Sequence, residues 1–264
     1  MAERAISYDR HGSGEPLVLI HGLGATRLVW KPQLEELARE RDVIAVDLPG
    51  FGRSPSLPPE RPPTSAAFAE EISTQLAELG IERPHVAGNS LGGWVALEMA
   101  KRDRAASACL ISPAGLWLKP LGTRSINTRG LAKVLGPAIN AATRSERVRR
   151  RLLATVVGKP DNVPATDGRQ VIRDWVEAPG YDDANEQMRR DRFENPEQVS
   201  VPVTIAWGEY DRLVTPPKQV RRPPGSRFVV LPECGHTPNW DDPGLISRLL
   251  LDTSAPAVAT EDAA

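Results

Sequence analysis

Residues 86–100 read VAGNSLGGWVALEMA, with Ser90 two residues from a glycine on either side. A hydroxyl in the frame Gly88-Asn89-Ser90-Leu91-Gly92 fits a nucleophile elbow, the tight strand-to-helix turn that exposes a reactive serine. Such a turn forces Ser90 to a positive φ, and Gly88 and Gly92 remove the Cβ atoms that would collide around it. A serine hydroxyl is a weak nucleophile, so the chemistry also requires a base, normally a histidine steadied by a carboxylate.

The chain offers four histidines, His11, His21, His85 and His236. His11 precedes the first apolar run, His21 closes that run, and His85 opens the run that leads to Ser90. The order serine, acid, histidine leaves His236 as the base. For the acid, VTIAWGEYD places Asp211 just after an apolar run. The other position, after ACLIS, reads Pro113-Ala114-Gly115 and holds no carboxylate, while Glu209 in the same loop remains a competitor to Asp211. Charge developing on a substrate oxygen needs donors, and two backbone N–H groups suit: Leu91 at the helix start and Leu23 after the turn His21-Gly22.

These residues need a scaffold that brings distant loops to one edge. Apolar runs at 17–20, 43–46, 86–87, 108–111, 203–207 and 228–231 predict strands, and segments 30–40, 65–79, 91–102 and 245–251 have helical spacing. Continuously apolar strands alternating with helices imply an α/β fold with a parallel sheet covered on both faces. The alternation breaks after Pro113 and resumes near Pro196. Residues 1–113 and 196–252 therefore read as the core, 114–195 as an inserted helical cap, and 253–264 as a disordered tail. In that cap, Leu116, Trp117 and Trp175 are candidate substrate-lining residues, with Val214 from the acid loop. The arginines between Arg144 and Arg151 read as a solvated helix face.

The 264 residues are 40% hydrophobic and 25% charged with a net charge of -1, a balance that gives no field for gathering nucleic acid. No apolar run has the length of a membrane span, and the first sixteen residues lack the apolar core of a secretory signal, so a cytoplasmic location is expected. Cys109 and Cys234 have neither the number nor the spacing of a disulfide framework or zinc site and read as small buried residues. Asp47 reads as a turn-capping residue.

Taken together, HGLG, DLPGFGRS, GNSLGG, WGEYDRLVTP and CGHTPNWDDP resemble the signature blocks of the α/β-hydrolase superfamily in its serine branch. The resemblance implies an eight-stranded, mostly parallel sheet, a helical lid after the sixth strand, and a triad of Ser90, Asp211 and His236 that needs no metal or organic cofactor. The activity so implied is hydrolysis of a small carboxylic ester, lactone or related acyl substrate. Asn89, Cys234-Gly235-His236 and Trp240 are also similar to the carbon-carbon bond hydrolases of ring-fission products, although Thr237 replaces the tryptophan usual there. A hydrolase-fold receptor is a third reading.

Overall fold

The computed structural model describes residues 5–122 and 134–255. Within them seven strands form one sheet: β1 (Tyr8–Gly12), β2 (Pro16–Ile20), β3 (Asp42–Val46), β4 (His85–Asn89), β5 (Ser107–Ile111), β6 (Val203–Gly208) and β7 (Arg227–Leu231). Their order is β1-β3-β2-β4-β5-β6-β7. β1 runs antiparallel to β3 and every other pairing is parallel. The expected eight strands are thus corrected to seven among the described residues. Six were marked by apolar runs; β1 was not, because it is an edge strand of polar sequence YDRHG with no fully buried residue. The eighth rested on family resemblance alone.

Side-chain alternation along the strands divides the core into two layers. Val18, Ile20, Ile44 and Leu110 face one way, toward Phe68, Ile72 and Val95. These three come from helices α2 (Ser65–Glu78) and α3 (Leu91–Lys101). Leu17, Leu19, Val43 and Cys109 face the other way, toward Leu37, Ile246 and Leu250. There the cover is α1 (Lys31–Leu37) together with the C-terminal helix Pro243–Thr253. The starts of two of these helices are chemically marked. Thr64 Oγ1 accepts from Ala67 N at 3.1 Å, and Asp242 accepts from Leu245 N at 2.9 Å just ahead of Pro243.

Between β5 and β6 the chain forms α4 (Gly136–Ala142), α5 (Glu146–Leu153), α6 (Ala165–Glu177) and α7 (Tyr181–Arg190), which makes the C-terminal helix α8. The helices therefore follow the fifth strand, not the sixth. Residues 123–133 of the expected cap, 1–4 of the expected core and 256–264 of the expected tail lie outside the described residues. The arginine-rich α5 is not uniformly solvated: Arg149 is buried and donates to Thr143 O at 3.0 Å. Both cysteines are free and buried, and burial pushes each thiol up to about 12. They behave as small apolar residues.

Candidate active site

The turn from β4 into α3 places Ser90 at φ 55, ψ -115. A non-glycine residue held there carries backbone strain of about 1–3 kcal/mol. What holds it is visible: Ser90 N donates to Ile111 O and Ala114 N donates to Ser90 O, both at 2.9 Å. A Cβ on Gly88 would stand 2.1 Å from Gly92 O, and one on Gly92 2.3 Å from Ile20 O. Both glycines are required by close backbone approach. The Ser90 hydroxyl itself has no hydrogen bond among the described residues.

The loop after β2 closes over this serine. A Cβ on Gly22 would lie 3.1 Å from Ser90 Cβ. His21, fully buried, shapes that loop rather than entering the site. Its Nε2 accepts from Leu48 N at 3.0 Å, so Nδ1 carries the proton and donates to Gly22 O at 2.8 Å. Burial lowers its pKa, which keeps the ring neutral. Asp47 is likewise structural: its buried carboxylate accepts from Arg27 N and Arg53 N and pairs with the Arg27 guanidinium. Farther along the turn, Thr26 Oγ1 donates to Asp174 of α6 at 2.8 Å. A Cβ on Gly24 would sit 2.8 Å from the Trp175 ring.

His236 and Asp211 meet. Nδ1 of His236 lies 2.8 Å from Asp211 Oδ2, and both side chains are nearly inaccessible. Asp211 Oδ1 accepts from Leu213 N and Val214 N at 2.9 and 3.0 Å. Burial alone would raise this carboxyl's pKa, but the His236 hydrogen bond and charge, with the two N–H donors, leave it below the ordinary value. Glu209 does not compete: it is exposed, and Oε2 accepts from Glu233 N at 2.8 Å. His85 is occupied with Ser107 Oγ at 2.8 Å, and His11 is exposed in β1.

Asn89 joins the two halves. Its side-chain amide donates to His236 O at 2.8 Å and Ile111 O at 3.1 Å, and its Oδ1 accepts from Thr237 Oγ1 at 3.3 Å. The histidine loop is thereby bound to the residue preceding Ser90. A second tie comes from Asp241, whose carboxylate accepts from Gly235 N at 2.7 Å, Gly158 N at 2.8 Å and Lys159 N at 2.7 Å. Both residues fall inside the blocks GNSLGG and CGHTPNWDDP, but the blocks do not name their hydrogen-bond partners. Asn89 occupies a position where G-x-S-x-G leaves the residue open, and Asp241 stands beside the recognisable helix cap Asp242.

Of the expected lining residues, Leu116, Trp117 and Val214 border a chamber of about 350 Å3, while Trp175 is not among its walls. Trp175 instead packs edge-on to Tyr181, with ring centroids 6.4 Å apart. Among the described residues no helix is long and apolar enough to cross a membrane.

The geometry has counterparts. Residues 17–249 match the profile of the Alpha/beta hydrolase family. An epoxide hydrolase, EphH of Mycobacterium tuberculosis, is 34% identical over 71% of this chain and 93% of that protein. A thermophilic esterase from Thermogutta terrifontis superposes with TM-score 0.71 at 26% identity, covering 94% of this chain and 92% of the other. A bacterial membrane phospholipase A gives TM-score 0.73 at 28% identity, covering 94% and 82%. The match spans nearly all of the sheet and both ends of the Ser90, Asp211 and His236 constellation, and this chain belongs to the alpha/beta hydrolase family.

Proposed function

We propose that the protein is a serine hydrolase of small carboxylic esters or lactones, acting through an acyl-enzyme on Ser90. The supporting observation is the His236–Asp211 pair at 2.8 Å, bound through Asn89 to the backbone of the elbow. With Nδ1–H donated to Asp211, Nε2 of His236 is the free base. In the first half-reaction Ser90 Oγ bonds to the carbonyl carbon and its proton passes to Nε2. The carbonyl oxygen, now negative, is received by the N–H groups of Leu91 and Leu23, neither of which donates to any acceptor among the described residues. Collapse breaks the bond to the leaving oxygen, which takes the proton from Nε2. Water then repeats the sequence and frees the acid. In this reading residues 114–195 cap the site.

The name of the mycobacterial relative suggests epoxide opening as a second reading. It fits less well, because that chemistry in this superfamily uses an aspartate at the elbow, where this chain has Ser90. Ser90→Ala is expected to abolish hydrolysis of short p-nitrophenyl esters and labelling by a fluorophosphonate while leaving Tm nearly unchanged. Retained turnover in that variant refutes the assignment.

A further inference from the structure

The chamber of about 350 Å3 lies beside the loop that carries Asp211. That loop forms one wall, through Leu213 and Val214, and Val214 N is itself held by the Asp211 carboxylate at 3.0 Å. Another part of the wall is the stretch leaving β5. Its Pro113 abuts the start of α3 so closely that a Cβ on Gly93 would stand 2.8 Å from Pro113 Cβ. Both walls are thus continuous with segments that build the site around Ser90.

The lining changes character with depth. Leu116 and Trp207 are 2% and 3% exposed, whereas Leu118, Leu121 and Leu213 are 43%, 48% and 54% exposed. Large apolar side chains exposed singly mean little, but here three converge on one opening. The backbone beside the lip is tied down: Arg189 donates to Gly122 O at 3.0 Å, and Arg192 donates to Leu118 O. Lys218 is the single charged side chain among the described residues of the lining. Walls of this kind offer few partners to a sugar, a phosphate or a peptide, and they remove hydrocarbon from water. The volume falls within the range of small-ligand sites, roughly 300–1,000 Å3.

We propose that this chamber receives the acyl chain of the substrate, so that the protein acts on esters of extended, unbranched apolar acids in preference to acetates. The proposal rests on the serine hydrolase reading for turnover but not for binding, since a fatty acid would be the product and is not consumed.

The test titrates the unaltered protein with sodium butyrate, hexanoate, octanoate and decanoate below micellar concentrations, following tryptophan fluorescence, to which Trp117 and Trp207 in the walls contribute. Saturable binding should tighten from hexanoate onward by about fourfold per methylene, the equivalent of about 0.8 kcal/mol for each CH2 removed from water. Leu121→Asp and Leu213→Asp should each weaken decanoate at least tenfold, with far-UV circular dichroism unchanged. In turnover, kcat/KM for p-nitrophenyl decanoate should exceed that for the acetate at least tenfold. Affinity independent of chain length, or decanoate binding undiminished in both lip variants, overturns the proposal. Ester turnover surviving in Ser90→Ala would instead refute the hydrolase reading while leaving the fatty-acid titration to decide the chamber.

Discussion

Asn89 is 2% exposed and supplies the only side-chain donor to His236 O among the described residues. In Asn89→Ala, Ile111 O keeps a partner, because it also accepts from Ser90 N at 2.9 Å. The His236 carbonyl loses its side-chain donor inside the protein. Leaving a buried acceptor short of its partner costs about 1–3 kcal/mol. The upper end of that range, about 3 kcal/mol, corresponds to a fall of roughly 6–12 °C in Tm for a chain of this size. The effect on catalysis should be separable from that on stability. Release of the histidine loop shifts His236 relative to Ser90, and a misplacement of about 1 Å can cost about 100-fold, so kcat should fall by that order with KM little changed. Asn89→Asp sharpens the test, since its buried carboxylate oxygen would face the same two carbonyls. Burial raises that carboxyl's pKa, so the variant should bind a proton more tightly folded than unfolded. Its deficit should then be smallest below the ordinary aspartate value of about 3.9, where the acid can donate to His236 O, and grow as pH rises from there through the raised folded-state value. Differential scanning calorimetry with p-nitrophenyl butyrate kinetics measures both. An Asn89→Ala protein within 2 °C of the parent in Tm and within threefold in kcat refutes the assigned tie.

Three other outcomes follow from the same contacts. Asp211→Asn should lower kcat by about 10,000-fold, because the amide no longer favours the Nδ1–H tautomer of His236, and a loss under tenfold excludes Asp211 as the acid. The lowered pKa of Asp211 adds stability above its ordinary value that disappears as pH falls through the folded-state value. The Tm advantage of the parent over Asp211→Asn should therefore shrink toward pH 3. For His21 the sign comes from a lowered pKa on a base: below the ordinary 6.5 the unfolded chain takes up a proton that the folded ring refuses, and stability falls. Urea midpoints should accordingly drop less between pH 7 and 5 in His21→Asn than in the parent, and equal drops count against the neutral ring. Asp241→Ala strands three backbone N–H donors, so Tm should fall by at least 6 °C. A variant of unchanged Tm would dismiss the clamp.

Much of the candidate site was legible because the proposed chemistry constrains residue type at short range. An exposed serine in a tight turn needs Gly88 and Gly92, and with only four histidines the chain order singles out His236. The central strands were legible for a related reason: buried on both faces, they are written as unbroken apolar runs. β1 was not, since an edge strand needs no such run and its YDRHG reads as a polar leader. The ties that align the site were equally silent. Asn89, Thr26 with Asp174, and Asp241 each act over separations of 82 to 148 residues, and no local pattern encodes a hydrogen bond at that distance. Trp175 shows the opposite limit. Aromatic character suggested a pocket wall, and the side chain packs against Tyr181 and the Gly24 turn.

The helices between β5 and β6 grip both sides of the site. α6 holds the turn carrying Leu23 through Asp174 on Thr26 and Trp175 on Gly24. Asp174 is largely buried beside Asp47 and Glu177, and burial raises its pKa. The link therefore depends on the hydroxyl and amide donors of Thr26 and Gln170. The segment after α5 holds the histidine loop by Thr237 N to Val156 O at 2.8 Å and by the Asp241 carboxylate across Gly235, Gly158 and Lys159. A Cβ on Gly235 would stand 2.5 Å from Gly158 N, so the two loops are in backbone contact. Neither grip touches Ser90, which is fixed by β4, α3 and the exit of β5 alone. The proposed nucleophile is thus set by the sheet, while the helices between β5 and β6 brace the loops of the proposed base and one proposed oxyanion donor, in addition to the contacts of His236 with Asn89 and Asp211.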